Sequence, residues 1–522
     1  MKKALSLLIA VSMLALTLLL AACGDQKDPD VTTDSTKQTT ESTSESKTTS
    51  SSSSESAGTT TSATETETTL PGGSTELTGK EKHPDFMDVN FGGRSFNFIV
   101  AQGTQQDWDI YEITAEATGN NNIVTEAIIE RNRIVEILYN CKITSTGSAK
   151  PEDVCSAELQ TGTSQYDFCM PMSWNAKAKS CFYNIASMDI DLTHSWWDQN
   201  FIDGFGMTID GTKRLYTLSG NFNLLNYDAT WALFFNKDVY DKVIASGKSN
   251  INIYDEARKG TWTVDKMITL MDAAKSDTNG DSFADGDVFG CVTIANYLMA
   301  TALWKGMGVS AVIKDENDLP VSVNSENSDA KYMSAAIDKA ISLWHNEGFT
   351  ALSQTDTQAA LSNGQALFVS ECLALAKRVT DEDARYSIVP FPKYDESQDS
   401  YHQYVCTVAY GLKVSAAAKN LKEAADFLEV FGYHSKMILY PQYINYFKTQ
   451  CFCEDEAGEM LEIVLGTREF DLGIFGQYGL SGKLDSYIQS GKNMLSKALA
   501  STSRTQTSAI EVYIVSLKNL KH

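Results

Sequence analysis

The sequence predicts an exported α/β protein whose folded part divides into two lobes. Three observations carry that expectation: a leader at the start of the chain, an abrupt change in composition after it, and alternating strand and helix patterns through the rest of the 522 residues. Lys2 and Lys3 precede an uncharged apolar run from Ala4 to Leu20, followed by Ala21, Ala22 and Cys23. A basic start, a short apolar core and small residues before a cut site make a secretory signal peptide over residues 1–22. Small residues directly before a cysteine resemble the bacterial lipobox, in which the cysteine receives a diacylglycerol and becomes the first residue of the mature chain. Cys23 is therefore the expected lipidation site, and palmitate is among the acyl chains such an anchor carries. A transmembrane anchor is the alternative for the same run, which is barely long enough to span.

From Cys23 to about residue 82 the chain is mostly Ser, Thr, Glu and Asp, with no aromatic residue before His83. Such a segment buries too little apolar surface to offset its ordering entropy, so it reads as a disordered linker. As a coil of about 55 residues it spans roughly 40 Å on average, enough to lift a folded body off a membrane.

Residues 83–522 have ordinary globular composition and are too many for one compact core. Ser95 to Ala101 reads as a strand entered through Gly92-Gly93, and Val124 to Leu138 as an amphipathic helix. A short strand follows near Lys142-Ile143-Thr144, then a buried strand over Tyr166 to Met170, stopped by Pro171. This alternation is the pattern of a parallel sheet with crossover helices. A second such region holds a strand at Leu233 to Asn236, a helix capped by Thr263 and a helix from Ala335 to Trp344. It continues with a strand from Tyr386 ended by Pro390 and Pro392, and a helix opened by a capping box at Asn420 and Glu423.

The formal charge is −24, from 67 acidic against 43 basic residues. That disfavours nucleic acid and anionic membrane surfaces, which need clustered Lys and Arg. Ten cysteines occur, nine besides Cys23. Their odd number, unrelated spacings and apolar surroundings predict free buried thiols rather than a disulfide framework. The six histidines are dispersed without the spacing of a zinc site.

At these segments the chain resembles the extracellular solute-binding proteins of ABC importers, in the carbohydrate-type branch seen in many Firmicutes. The resemblance rests on TEAIIERNRIVEILYNCKI (125–143), YDFCMPMSWN (166–175), the pair Trp196-Trp197, GTKRLYTLSGN (211–221) and LFFNKDVYDKV (233–243). It continues through GTWTVDKMITLMDAA (260–274), DTNGDSFADGDVFG (277–290), YSIVPFPKYDESQDSY (386–401) and the helix near 420–433, in order along nearly all of the folded part. It implies a two-lobed α/β fold of the periplasmic-binding-protein type II, with a ligand cleft between the lobes and closure by hinge motion. Lobe 1 is then expected over about 90–217 and 405–445, and lobe 2 over about 222–403 and 446–522. The implied function is capture of an extracellular carbohydrate, an oligosaccharide, for delivery to the ABC permease subunits. The chain is then a monomer anchored by lipid on the extracellular face of the cell membrane, and not an enzyme.

A sugar offers apolar C–H faces and a rim of hydroxyls, so its binder needs flat aromatic platforms and hydrogen-bonding side chains. Aromatics after strand ends are the natural candidates: Trp108, Trp174, Trp196, Trp197, Trp231 and Trp304. Polar candidates at strand ends are Asn221, Asn223 and Glu371, with Gln102, Asp109 and Asn175 near them. Trp262 and Trp344, opening or inside helices, read as packing residues.

No cofactor is required by this reading, but one segment suits a structural calcium ion. Asp277, Asn279, Asp281 and Asp285 fall at positions 1, 3, 5 and 9 of an EF-hand-like loop, with Phe283 offering a carbonyl. Ser282 stands where glycine is expected and Val288 where the bidentate acid is expected, with Asp287 one residue earlier as a substitute. An acidic turn without metal is the competing reading. Two other functional classes remain open: a cell-surface glycoside hydrolase, which needs only a pair of carboxylates in a cleft, and an adhesin on a Ser/Thr stalk. A binding protein for peptide or another nutrient is the nearer alternative.

Overall fold

The computed structural model describes residues 88–102, 113–117, 122–172, 179–278, 280, 287–452, 454–476 and 480–520. The leader, Cys23 and the linker lie outside them, as do Trp108, Asp109, Trp174, Asn175, Asn279, Asp281, Phe283 and Asp285. Among the described residues, no helix is long and apolar enough to cross a membrane.

Two separate sheets organise the body. In the first, the strand Arg94–Ala101 lies between Cys141–Ser148 and Phe168–Met170, parallel to both, and Lys413–Val414 closes the edge antiparallel to Phe168–Met170. Its inner face is aromatic. Phe96 stacks on Phe427 at 4.0 Å between ring centroids, and Phe98 meets Phe168 at 4.7 Å. The connecting helix Ile123–Tyr139 starts where the Asn122 side chain accepts from the Val124 and Thr125 amides, and stops at Asn140 in the left-handed conformation.

In the second sheet, Phe349–Leu352, Phe289–Ile294 and Ala366–Cys372 run parallel, and Trp231–Asn236 and Tyr386–Val389 complete it on the far side. Trp231–Asn236 is antiparallel to both its neighbours. All seven residues of Ala366–Cys372 are buried, as a central strand covered on both faces requires. Thr263 caps the helix Val264–Ala274 as expected. Asn420 caps Leu421–His434 through the Glu423 amide, but the box is only half formed. The Glu423 carboxylate turns to Arg94 at 2.5 Å, and the same guanidinium holds Asp167 at 2.6 Å. An ion pair across elements has displaced the local hydrogen bond.

Chain segments pass between the two sheets side by side. Leu218 bridges Leu412 and Thr230 bridges Val405, both antiparallel. Gly411 lets them close up, since a Cβ there would fall 1.9 Å from the Thr217 hydroxyl. A third connection is helical: Leu421–His434 continues through two wide π-type turns, Ser435–Leu439 and Phe447–Cys451, towards Asp455–Gly466. Near the C-terminus, Ser481–Ser490 packs against Leu298–Gly306 and Ala330–Trp344, and Leu495–Lys518 covers Pro320–Ser322. Cys141, Cys155, Cys169, Cys181, Cys291, Cys372, Cys406 and Cys451 are all buried and unbridged.

Candidate functional site

Three parallel strands of the second sheet end at one edge, and the antiparallel strand Trp231–Asn236 begins there. That arrangement delivers Ile294 to Leu298, Leu352 to Gln354, Glu371 and Trp231 to a single cavity of 620 Å³. Cys406, Thr407 and Val408 of the crossing segment form its remaining wall. A second cavity of 500 Å³ shares Tyr297 and Thr407 with the first. Its other walls come from Thr301, Tyr404, Ile474 and the helix Ser481–Ser490 through Ser481, Gly482, Asp485, Ser486 and Gln489. Tyr297, 52% exposed, is a large aromatic left open where the two cavities meet.

Trp231 is held by its indole N–H, which donates to the Ser370 hydroxyl at 2.8 Å, and by Tyr404 at 6.0 Å between centroids. Glu371 is 2% exposed. Its Oε1 accepts from Arg378 and from the Cys372 thiol, while Oε2 has no hydrogen-bond partner among the described residues. Burial pushes the Glu371 carboxyl above its ordinary range, with Arg378 working against it. In the second cavity Asp485 Oδ1 accepts from the Trp304 indole at 2.8 Å and the Thr301 hydroxyl at 2.9 Å. Burial outweighs those two bonds and raises the Asp485 pKa to about 7.

The nine sugar-site candidates therefore scatter. Trp231 and Glu371 meet at the first cavity. Trp304 is fully buried behind Asp485 and presents no face to a solute; its role there is to hold the carboxylate. Trp196 and Trp197 are buried in the core and line neither cavity. The Trp196 indole donates to Glu429 at 2.9 Å and the Trp197 indole to the Asp191 carbonyl at 3.1 Å, so both polar ends are satisfied inside the protein. Asn221 bonds the Tyr227 hydroxyl and Asn223 the Tyr410 carbonyl, both buried and outside the two cavities. Trp108 and Trp174 lie outside the described residues. Tyr297, Ser353, Gln354, Thr407 and Asp485 were not among the candidates, although Tyr297 and Ser353 obey the same strand-end rule.

Of the acidic loop, Asp277 accepts from the Gly280 amide at 2.5 Å, and Asp287 accepts from the Thr278 amide and hydroxyl at 2.7 and 2.9 Å. Both carboxylates thus tie the turn together, and no cluster of metal-ligating side chains occurs among the described residues.

A further cavity of 380 Å³ is lined by Lys305, Lys314, Arg468, Glu469 and Asp471 among others. Its charges are matched internally. Lys305 reaches Glu469 at 2.5 Å and Asp471 at 3.3 Å, and Lys314 reaches Asp318 at 2.9 Å. Burial would raise the Glu469 pKa, but Lys305 and His402 outweigh it and bring it to about 2. This cluster fastens the segment around 468–471 to the helix Leu298–Gly306.

Residues 190–432 match the family model of bacterial extracellular solute-binding proteins. That stretch is similar to the family. Its span takes in the second sheet, both crossing segments and the wall residues of the first cavity. Among solved structures, the sugar-binding protein MalE from Xanthomonas citri is 11% identical, covering 81% of this chain and 99% of its own, with a TM-score of 0.52. A sugar transporter from Rhizobium etli in an open conformation is 12% identical, covering 80% and 99%, at 0.50. A cyclo/maltodextrin-binding protein complexed with maltotetraose is 11% identical, covering 80% and 97%, at 0.50. At such identities the likeness establishes the two-lobed solute-binding fold. No curated protein matches the sequence.

Proposed function

We propose that this solute-binding protein is the capturing subunit of an ABC importer and that its ligand is a carbohydrate, an oligosaccharide. The observation that carries the reading is the pair of joined cavities at the carboxyl ends of the parallel strands, with Tyr297 open between them. Ligands of open α/β sheets sit at such strand ends. The walls combine one open aromatic face, that of Tyr297, with hydroxyl and amide groups from Ser353, Gln354, Thr407, Ser481 and Gln489, while Trp231, 1% exposed, backs the first cavity. That mixture matches the apolar face and hydroxyl rim of a pyranose. The printed names of the similar structures, a sugar-binding protein, a sugar transporter and a maltodextrin-binding protein, support the same class.

In this proposal residues 1–22 are removed, Cys23 carries the lipid, and residues 23–82 tether the body to the extracellular face of the membrane. Two acyl chains at about 0.8 kcal/mol per buried CH₂ suffice for stable anchoring. Ligand draws the lobes, about 90–217 with 405–445 and about 222–403 with 446–522, into a closed arrangement that the permease recognises. Calorimetric titration of the purified protein against a panel of neutral oligosaccharides and peptides tests the ligand class. Micromolar or tighter binding of an oligosaccharide is expected. Binding of peptides with no response to any carbohydrate would refute it.

A further inference from the structure

The two joined cavities have an unusual charge balance. Among the described residues that line them, only Glu371 and Asp485 are charged, and none is Lys, Arg or His. Glu371 has the Arg378 guanidinium behind it. Asp485 has no cation beside it among the described residues. It is 6% exposed, it forms no ion pair among the described residues, and both of its hydrogen bonds fall on Oδ1. Oδ2 is the oxygen left to face the cavity that the residue lines.

A buried carboxylate without a counter-charge is costly and is rarely left so. The Trp304 and Thr301 donors fix its position without neutralising it, because both are uncharged. A neutral sugar hydroxyl would add a hydrogen bond without offsetting the cost that burial puts on the ionised carboxylate. An ammonium group would satisfy Oδ2 and supply the missing charge at once. Tyr297 adds a second attraction, since its half-exposed ring borders the same cavity and its π face draws a cation. A uronic or sulfated sugar meets only repulsion from such walls.

From the unpaired Asp485 carboxylate beside Tyr297, we propose that the second cavity is a subsite for the ammonium group of an amino-bearing solute. Resting on the carbohydrate reading above, it narrows the ligand to an amino sugar or an oligosaccharide containing one. Ser486 and Gln489 on the same helix, and Ser481 at its start, are placed to take hydroxyls flanking the amine.

The test titrates the full protein calorimetrically with glucosamine and galactosamine, as monomers and β-1,4 oligomers. Each is compared with its N-acetylated form and with the glucose or galactose equivalent of the same length. The expected result is binding roughly tenfold or more tighter for the free amine, the range of a charge-assisted hydrogen bond in a desolvated site. Asp485→Asn should bring that ratio to about one. If the variant does not fold, the N-acetylation series on the wild-type protein decides, because acetylation removes the charge and keeps the ring. Equal or tighter binding of the neutral sugars overturns the subsite while leaving the carbohydrate reading intact. An amine preference that persists in Asp485→Asn overturns the assignment to this residue. An aliphatic diamine that binds through Asp485 while no sugar binds keeps the subsite and removes the carbohydrate reading. No binding of any of these probes overturns both.

Discussion

Replacing Asp485 by Asn should make the protein more stable at pH 8 and should change it little at pH 4. The carboxyl has an ordinary pKa near 3.8 in the unfolded chain and about 7 in the folded one, because burial penalises the anion. The folded protein therefore holds a proton that the unfolded chain releases between those values. The stability this contributes is fully present below pH 3.8, is lost as pH rises through 7, and stays lost above it. At about 1.4 kcal/mol per pH unit, a gap from 3.8 to about 7 is worth ~4 kcal/mol as an upper bound, reduced by water entering the cavity. Asn keeps an oxygen for Trp304 and Thr301 and carries no charge, so it escapes the penalty at every pH. For a body of about 430 residues the unfolding entropy converts each kcal/mol into ~1 °C. The assay is thermal unfolding of both proteins from pH 4 to 8, taking only the difference between them, since Glu371 and Glu429 also titrate with raised pKa values. A variant that gains roughly 2–4 °C on the wild type across that range fits the argument. A difference that stays flat with pH would show that Asp485 is not the strained acid the geometry makes it.

Trp197→Ala should cost ~3–5 kcal/mol, read from the urea midpoint, because it empties a 2%-exposed site in the core; any oligosaccharide affinity that survives at lower temperature should be unchanged. Tyr297→Ala is its opposite: the ring is half exposed, so melting should move by about 1 °C or less while calorimetric affinity falls at least tenfold. Lys305→Met should lower stability by ~3–5 kcal/mol in the same urea assay, since it leaves Glu469 and Asp471 facing each other without their shared cation.

The sheets were legible because their signals are local. Ser95 to Ala101 and Tyr386 onward are apolar runs bounded by Gly or Pro; the first is a strand within one residue of the expected ends, and the second begins at Tyr386 but stops at Val389, three residues short of Pro392. The strand Phe289–Ile294 closely follows the acidic segment 277–287 and carries Gly290 inside it, so its signal in the sequence is weak. Tyr297 stands three residues beyond its end, so the strand-end rule reaches it only once that strand is placed. Glu371 and Trp231, chosen by the strand-end rule, both line the first cavity. The Trp196-Trp197 pair was misread as a platform because adjacent tryptophans carry no mark of which way they face. What settles Trp196 is Glu429, a partner 233 residues away. Asp485 was invisible for the same reason: on an amphipathic helix it looks like a solvated face, and only Trp304 and Thr301, more than 180 residues upstream, put it inside.

The position of Thr407 links ligand length to closure. It lines both cavities and stands two residues after Val405, which bridges Thr230, and five before Leu412, which bridges Leu218. A solute at Thr407 therefore touches the crossing segment itself, between the two bridges where a hinge rotation would be absorbed. A ligand shifts a two-state equilibrium only by its differential contacts with the two states. One confined to the first cavity meets Trp231, Glu371 and one side of Thr407; one that also fills the second adds Asp485 and the helix Ser481–Ser490. Closure measured by small-angle scattering should accordingly rise with oligomer length and level off once both cavities are occupied. Equal closure by a monosaccharide and a longer oligomer at saturation would separate the second cavity from the hinge.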